Sequence, residues 1–255
     1  LAARGFTSAE DAAKQLNSDG LSDPFLLKDM REAADVINDA VENFESICIY
    51  GDYDCDGITS TVILFSYLEC MGANVTYYIP ERSEGYGLNA DAVRELAKRG
   101  VNLIITVDNG ISAIEESKLI YELGMHLVVT DHHQPGDELP QAEAVVDPHR
   151  KDCPSTFKYL CGAGVALKLV AALENGDYET ALNEYGEFAA MGTVADVVSL
   201  TGENRYIVSN GLRLLENSER PGVNALIKKS GLKFPLTSAS LAFGLAPRIN
   251  ASGRF

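Results

Sequence analysis

The chain has 255 residues, of which 46% are hydrophobic and 23% charged, with a formal net charge of −16. This length is enough for one large domain or two small ones with an ample core. No apolar run approaches the length of a membrane span, so we expect a soluble globular protein, and the acidic balance argues against generic nucleic-acid binding through a basic surface.

The first residues and the cysteines bear on the cellular context. No signal-peptide pattern is visible, and the sequence does not begin with Met, so we expect it to be part of a longer protein. The five cysteines are odd in number and contain no C-x-x-C pair. They support neither a disulfide framework nor a zinc ribbon, and a reducing cytoplasm is the expected compartment.

The first 45 residues are predicted to be a helical lead-in (1–45). Thr7 to Glu10 form a capping-box pattern, which predicts a short helix from Ser8 that ends between residues 17 and 20. Asp23-Pro24 then restarts the chain, and the apolar spacing of residues 30–44 is typical of an amphipathic helix.

From residue 46 the sequence alternates between β-rich and helical runs. The pattern predicts strands at 46–50, 75–79, 103–107, 126–130 and 144–146, with helices at 58–71, 90–99 and 114–123 between them. This alternation predicts an α/β fold with a mostly parallel sheet and helices on both faces. After Asp147-Pro148 only helices are predicted, at 163–174, 178–198, 205–216 and 223–229, with a last apolar piece at 238–246. We place a catalytic domain at 46–200 and a helical segment at 201–255.

The sequence GDYDCDG, residues 51–57, places three aspartates at alternate positions between the first strand and its helix. In an extended segment Asp52, Asp54 and Asp56 would project to one side, and converging carboxylates need protons or a divalent cation. An EF-hand calcium loop is excluded because its twelfth position, which requires Glu, is Ile63. A solvated acidic turn is the remaining structural alternative.

Acidic residues also follow the later strands. The runs Asp108-Asn109-Gly110, Asp131-His132-His133 and Asp147-Pro148-His149 each come directly after a predicted strand. Because the carboxyl ends of parallel strands lie on one edge of a sheet, we expect these residues to be neighbours. Asp-Asn-Gly alone could be a structural turn, whereas two adjacent histidines after a buried strand favour ligation. His126 is expected at the surface. His149 lies in a proline-containing turn, and the sequence leaves open whether it contacts substrate.

Asp196 lies in the nearly apolar run 189–198. A charge in such a helix is costly unless it is paired or bound to metal, so Asp196 is a ligand candidate; a helix-end cap or a pair with an arginine is the alternative. Carboxylates and imidazoles without thiolates suit Mn²⁺ or Mg²⁺, and so many ligands suit two ions. The residues alone therefore predict metal-dependent hydrolysis of a phosphoester or phosphoanhydride.

Charge is unevenly distributed along the chain. Residues 201–255 hold 8 Lys and Arg against 3 Asp and Glu, which leaves 13 against 34 for residues 1–200. The basic C-terminal segment could track phosphates or be an ordinary solvated helix surface.

The motifs GDYDCDG, TVDNG, TDHH and MGTVADVV, in this order, resemble the DHH phosphoesterase superfamily. Within it, the segments DPFLLKDM, IPERSEGYGLN, CGAGVALKL and PRINASGRF resemble the RecJ-type single-stranded-DNA exonucleases. The resemblance covers essentially the whole chain. It implies a 5′-to-3′ exonuclease of recombination and repair that uses two Mn²⁺ or Mg²⁺ ions, acts in the cytoplasm as a monomer without membrane attachment, and works with a single-strand-binding protein and a helicase.

The resemblance also implies roles for particular residues. Asp54, Asp56, Asp108, His132 and Asp196 would be metal ligands, with Asp108 bridging both ions. Asp52, Asp131 and His133 would act in catalysis, with His133 on the scissile phosphate and Asp131 supporting the histidines. A third group would bind substrate: Arg82, His149, Arg248, Asn250 and Arg254.

The chain departs from the family pattern in two places. Asp147 stands where the family often has Asn, and the chain stops at Phe255 before the glycine-rich second domain (DHHA1) and the OB-fold. We therefore expect this piece to bind metal but to be weak or inactive on long strands. The alternative functions are a pyrophosphatase, a phosphodiesterase for short oligonucleotides or cyclic dinucleotides, or a non-catalytic binding module.

Overall fold

The structure is a computed structural model that describes residues 7–8 and 20–252. Residues 9–19, which hold nearly all of the helix predicted from Ser8 to between residues 17 and 20, lie outside the described residues. The first described helix, α1 (Met30–Glu42), precedes a region of alternating strands and helices: β1 (Ile47–Tyr50), α2 (Cys55–Cys70), β2 (Val75–Tyr78), α3 (Ala90–Lys98), β3 (Leu103–Val107), α4 (Ile114–Glu122), β4 (His126–Thr130) and β5 (Ala144–Val146). Short 3₁₀ turns cover Pro24–Leu26 and Arg82–Glu84.

The strands form one parallel sheet in the order β2-β1-β3-β4-β5. Every residue of β1, β3 and β5 is buried. Alternate side chains enter two apolar cores: Ile47 and Ile105 face α1, α2 and the later helices, whereas Cys48 and Ile104 face α3 and α4. The predicted parallel sheet with helices on both faces is therefore confirmed.

The strand order reverses at β1, which has β2 on one side and β3 on the other. In open parallel sheets, ligands bind outside the carboxyl ends of the strands at such a switch point. Here the crevice lies between the loop that follows Tyr50 and the loop that follows Val107. The topology therefore brings Asp52 and Asp108 together although they are distant in sequence.

Helices follow the sheet: α5 (Gly162–Leu173), α6 (Tyr178–Ala195), α7 (Gly202–Glu216), α8 (Pro221–Ser230) and α9, which joins Ser238–Ser240, a π-helical Leu241–Leu245 and Ala246–Ser252. The prediction ended the last piece at residue 246. The helix instead continues through Pro247, which has no N–H to donate, directly after the π-helical turn.

Two other predicted boundaries are wrong at functionally important places. Helix α2 begins at Cys55 rather than at residue 58, because the Asp54 side chain caps it by accepting a hydrogen bond from the Gly57 N–H. Helix α6 ends at Ala195 rather than at 198, because Val197 has a positive φ of 61° that no helix can continue.

Within the described residues, no helix is both long and apolar enough to cross a lipid bilayer. The five cysteines, all of which lie in the described part, are unpaired thiols, and four of them are buried.

Candidate metal centre

The loop between β1 and α2, together with the first turn of α2, supplies three carboxylates. Asp52 is 2% exposed, Asp54 is the N-cap of α2, and Asp56 lies in the first helical turn. The prediction that an extended segment aligns all three is wrong for Asp56, since the chain is already helical there. Burial raises the pKa of Asp52 to about 6.

Asp56 is completely buried against the start of α5. Its Oδ2 accepts a hydrogen bond from the Gly162 N–H at 2.7 Å, and its Oδ1 accepts one from the Ala163 N–H at 2.9 Å. The N-cap residue Cys161 provides no side-chain cap, so Asp56 takes that role from a distant part of the chain. Burial raises its pKa to about 6 despite these donors.

Asp108 and His132 face each other at the sheet edge. Asp108 has a φ of 62°, an uncommon value for a residue other than glycine. Its Oδ1 lies 3.0 Å from His132 Nε2, yet these two buried atoms have no hydrogen-bond partner. Burial lowers the pKa of His132 to about 4, so its imidazole is neutral, which is the form that binds metals.

Asp131 braces both histidines. Its Oδ1 accepts hydrogen bonds from the His132 N–H at 2.7 Å and from His133 Nδ1 at 2.7 Å, and its Oδ2 accepts one from the Ile111 N–H at 2.9 Å. Burial alone would raise the pKa of Asp131, but the bond from His133 and the backbone donors lower it. The same hydrogen bond raises the pKa of His133 and favours its protonated form.

Asp196 is the C-cap of α6 rather than a residue within the helix. A carboxylate at this end meets the negative pole of the helix dipole, so the helix itself does not stabilise it. Its Oδ2 lies 3.8 Å from His132 Nδ1. Burial, together with the charges of Asp56 and Asp54, raises its pKa to about 7. A cation would remove this electrostatic cost.

Three overlapping groups of ligand atoms form here, each with its atoms within 4.8 Å of one another. They are Asp52-Asp54-Asp108, Asp108-His132-His133 and Asp56-His132-Asp196. Asp108 and His132 each belong to two groups. Unpartnered atoms of Asp52, Asp108 and His132 are buried among these groups, so the oxygen and imidazole donors fit divalent cations held between them.

The predicted substrate-binding residues divide into two sets. Arg82 lies 4.4 Å over the ring of Tyr53 and its Nη2 donates to the Asn250 carbonyl at 3.4 Å. The Asn250 Oδ1 in turn accepts from the Cys55 N–H at 2.7 Å. These contacts attach α9 to Tyr53 and Cys55, which lie among the aspartates of residues 52–56. Arg82 and Asn250 therefore border the metal centre.

Two of the other predicted substrate residues, His149 and Arg248, bond to main-chain carbonyls. The His149 ring bonds through Nδ1 to the His132 carbonyl at 2.6 Å, so it supports the histidine loop. Arg248 donates to the carbonyls of Gly244 and Ser230, within the C-terminal helices. Arg254 lies outside the described residues. Contacts of these side chains with a substrate stay predictions.

Sequence reasoning missed Tyr86 and gave Asp147 no role. The Tyr86 hydroxyl lies against the Asp108 carbonyl and His133; in the sequence Tyr86 lies between two glycines of the family-like segment IPERSEGYGLN, which gave it no role of its own. Asp147 is fully buried; its Oδ1 accepts from the His149 N–H at 2.6 Å, and its Oδ2 has no partner. Burial raises its pKa to about 7.

The raised pKa values predict how stability depends on pH when metal is removed. Asp147 and Asp196 have pKa values of about 7, above the unfolded value of 3.8, so the stability that their protonation contributes is lost as the pH rises from about 4 through 7, and the loss ends at about pH 8. His132 has a pKa of about 4 against an unfolded value of 6.5, so above about pH 6.5 its imidazole is mostly neutral in both states and does not offset this loss. We expect the thermal midpoint in chelator to fall between about pH 6.5 and 8, by roughly 2–4 °C per kcal/mol lost.

Differential scanning fluorimetry in EDTA at a series of pH values measures this dependence. Excess Mn²⁺ should flatten the curve, because bound cations replace the protons. A midpoint that stays constant or increases over this range would contradict the assignment of buried, protonated carboxyls.

Comparison with known proteins identifies the relatives of this fold. The sequence model described as "DHH family, N-terminal domain" matches residues 46–193. The single-stranded-DNA-specific exonuclease RecJ of Bacillus subtilis is 46% identical over 258 residues, which cover 100% of this chain and 32% of the relative. The chain thus spans about a third of that curated relative.

Solved structures give the same relationship. The structure of RecJ from Thermus thermophilus in complex with Mn²⁺ is 35% identical, has a TM-score of 0.83, and is matched over 99% of this chain and 36% of its own. The structure of RecJ from the same organism in complex with Mg²⁺ is 30% identical, with a TM-score of 0.67 and coverage of 99% and 32%. The resemblance inferred from the motifs is confirmed.

Proposed function

This chain belongs to the DHH family and matches its N-terminal domain, and on that premise we propose that it is the catalytic region of a metal-dependent exonuclease that degrades single-stranded DNA from the 5′ end. The observation that carries the proposal is the sharing of Asp108 and His132 between neighbouring groups of ligand atoms, with buried donor atoms left unpartnered. Similarity to single-stranded-DNA-specific exonucleases over the whole chain supports the choice of substrate.

We assign Asp54, Asp56, Asp108, His132 and Asp196 as the residues that would hold two Mn²⁺ or Mg²⁺ ions, with Asp108 shared between them. When bound, such ions lower the pKa of water and stabilise the charge that develops on a phosphodiester. Complexes of RecJ with Mn²⁺ and with Mg²⁺ support this choice of ions.

The protein's own groups prepare the site for an anionic substrate. Asp131 Oδ1 holds a proton on His133 Nδ1, and the raised pKa of His133 favours an imidazolium, whose Nε2–H beside the Tyr86 hydroxyl would donate to a phosphate oxygen. Asp52, buried in the same pocket with a raised pKa, would assist there. The neutral His132 offers a lone pair rather than a second positive charge.

Arg82, His149, Arg248, Asn250 and Arg254 are proposed to bind the DNA strand, supported by the excess of basic residues in 201–255. We divide the chain into a lead-in (1–45), a catalytic domain (46–200) and a helical segment (201–255). We propose that the exonuclease acts in DNA repair and recombination. We place it in the cytoplasm, a compartment that the unpaired cysteines support. A single-strand-binding protein and a helicase are proposed partners of the monomer.

The experiment uses the natural protein that carries this sequence. A 5′-phosphorylated single-stranded oligonucleotide, the same strand in a duplex, and pyrophosphate are incubated separately with Mn²⁺ or with EDTA. We expect Mn²⁺-dependent release of 5′-mononucleotides from the single strand alone. Release of orthophosphate from pyrophosphate with intact DNA would replace the exonuclease by a pyrophosphatase, and no hydrolysis of any phosphodiester would indicate a binding module.

A further inference from the structure

Tyr86 occupies a loop shaped to direct its side chain at the metal centre. It lies between Gly85 and Gly87, whose φ angles are 96° and 79°. A Cβ added at either glycine would meet nothing within 4 Å. Glycine is therefore favoured at these two positions by the positive φ angles and not by close packing. The Tyr86 side chain is partly exposed, at 55%, so burial of its ring does not explain its orientation.

The Tyr86 hydroxyl makes two contacts at the sheet edge. It donates to the main-chain carbonyl of Asp108 at 3.1 Å, and it lies 3.3 Å from Nδ1 and 3.2 Å from Nε2 of His133. Because its one proton goes to the carbonyl, its oxygen lone pairs face the imidazole. The hydroxyl oxygen is nearly equidistant from the two ring nitrogens, and the two rings meet edge to face with their centroids 5.7 Å apart.

The carbonyl that Tyr86 binds belongs to a residue in an uncommon conformation. The φ of 62° at Asp108 is a strained backbone conformation, which is maintained only when surrounding contacts hold it. The carboxylate of Asp108 belongs to two of the ligand groups. We propose that Tyr86 is a positioning residue that fixes, through one hydroxyl, both the peptide of Asp108 and the ring of His133. This inference rests on the proposed function for its meaning in catalysis.

The test is the Tyr86→Phe substitution in the natural protein, which removes the hydroxyl and keeps the ring. We expect kcat on the 5′-phosphorylated strand to fall about tenfold with KM unchanged, as expected for loss of one hydrogen bond to the catalytic groups. The matched control is Tyr77→Phe, because Tyr77 is similarly exposed at 59% and packs against Phe65, away from the metal centre.

A second measurement does not depend on activity. The Cε1–H resonance of His133 can be assigned in metal-free protein because it is the one that disappears in His133→Gln. We expect Tyr86→Phe to shift and broaden this resonance and Tyr77→Phe to leave it unchanged.

The outcomes separate this inference from the proposed function. An unchanged resonance with unchanged kcat would overturn the positioning role, and so would a raised KM with unchanged kcat, which indicates direct substrate binding. If the unsubstituted protein hydrolyses no phosphodiester, the proposed function fails, while the resonance still decides whether Tyr86 positions His133.

Discussion

Replacement of Asp108 by Asn is expected to lower kcat for DNA hydrolysis by at least about 10³-fold, since metal-based stabilisation of the transition state is worth several kcal/mol. Asp108 belongs to two of the three ligand groups, so its loss weakens both proposed ion positions at once. Asparagine has the same shape, and the fold should be kept. Initial rates with Mn²⁺, together with the number of bound ions from isothermal titration calorimetry, test this expectation.

The same substitution should stabilise the metal-free protein although it lowers kcat. Burial and the charges of Asp56 and Asp54 raise the pKa of Asp108, so its ionised form is costly in the metal-free protein. Asp108→Asn removes that cost, and the thermal midpoint in EDTA near pH 8 should rise. The control is Asp91→Asn on α3, where the side chain is 98% exposed and pairs with Arg94. Unchanged turnover in Asp108→Asn would refute the assignment.

The sheet could be predicted because its sequence signals are local. The predicted bounds of β3, β4 and β5 match the structure, since short β-rich runs between helical runs permit few other arrangements. The meeting of Asp108 and His132 follows from parallel strands alone, because parallel pairing places both at the carboxyl edge. Topology therefore accounted for the centre before any side-chain position was known.

The remaining features depend on contacts between distant parts of the chain. The Asn250 side chain caps the start of α2 from 195 positions away, and Asp56 caps α5 across 106 positions. Lys168 is nearly buried in an apolar helix because Glu203 pairs with it at 2.6 Å. The positive φ angles of Asp108 and Val197 could not be predicted from residue type either, because neither residue is glycine. Periodicity and motif spacing contain no information on such pairs.

Gly162→Ala is expected to lower kcat about 10²-fold, the usual cost of displacing catalytic groups by about 1 Å. A Cβ at Gly162 would lie 2.5 Å from Asp108 Cβ and 2.6 Å from its Oδ1, closer than real contacts allow. The Asp108 Cβ cannot rotate away, because it is attached directly to the backbone. The start of α5 must move instead, and it carries the N–H groups that hold Asp56.

The matched control is Gly222→Ala in α8, where an added Cβ meets nothing within 4 Å. That change should leave kcat unaltered and raise stability by about 0.4–1 kcal/mol, because alanine restricts the unfolded chain. Gly162→Ala should instead lose about 1–3 kcal/mol from overpacking. Steady-state rates, Mn²⁺ affinity and urea unfolding separate the two variants. Full activity in Gly162→Ala would mean that the close approach of α5 to Asp108 does not hold the ligand geometry.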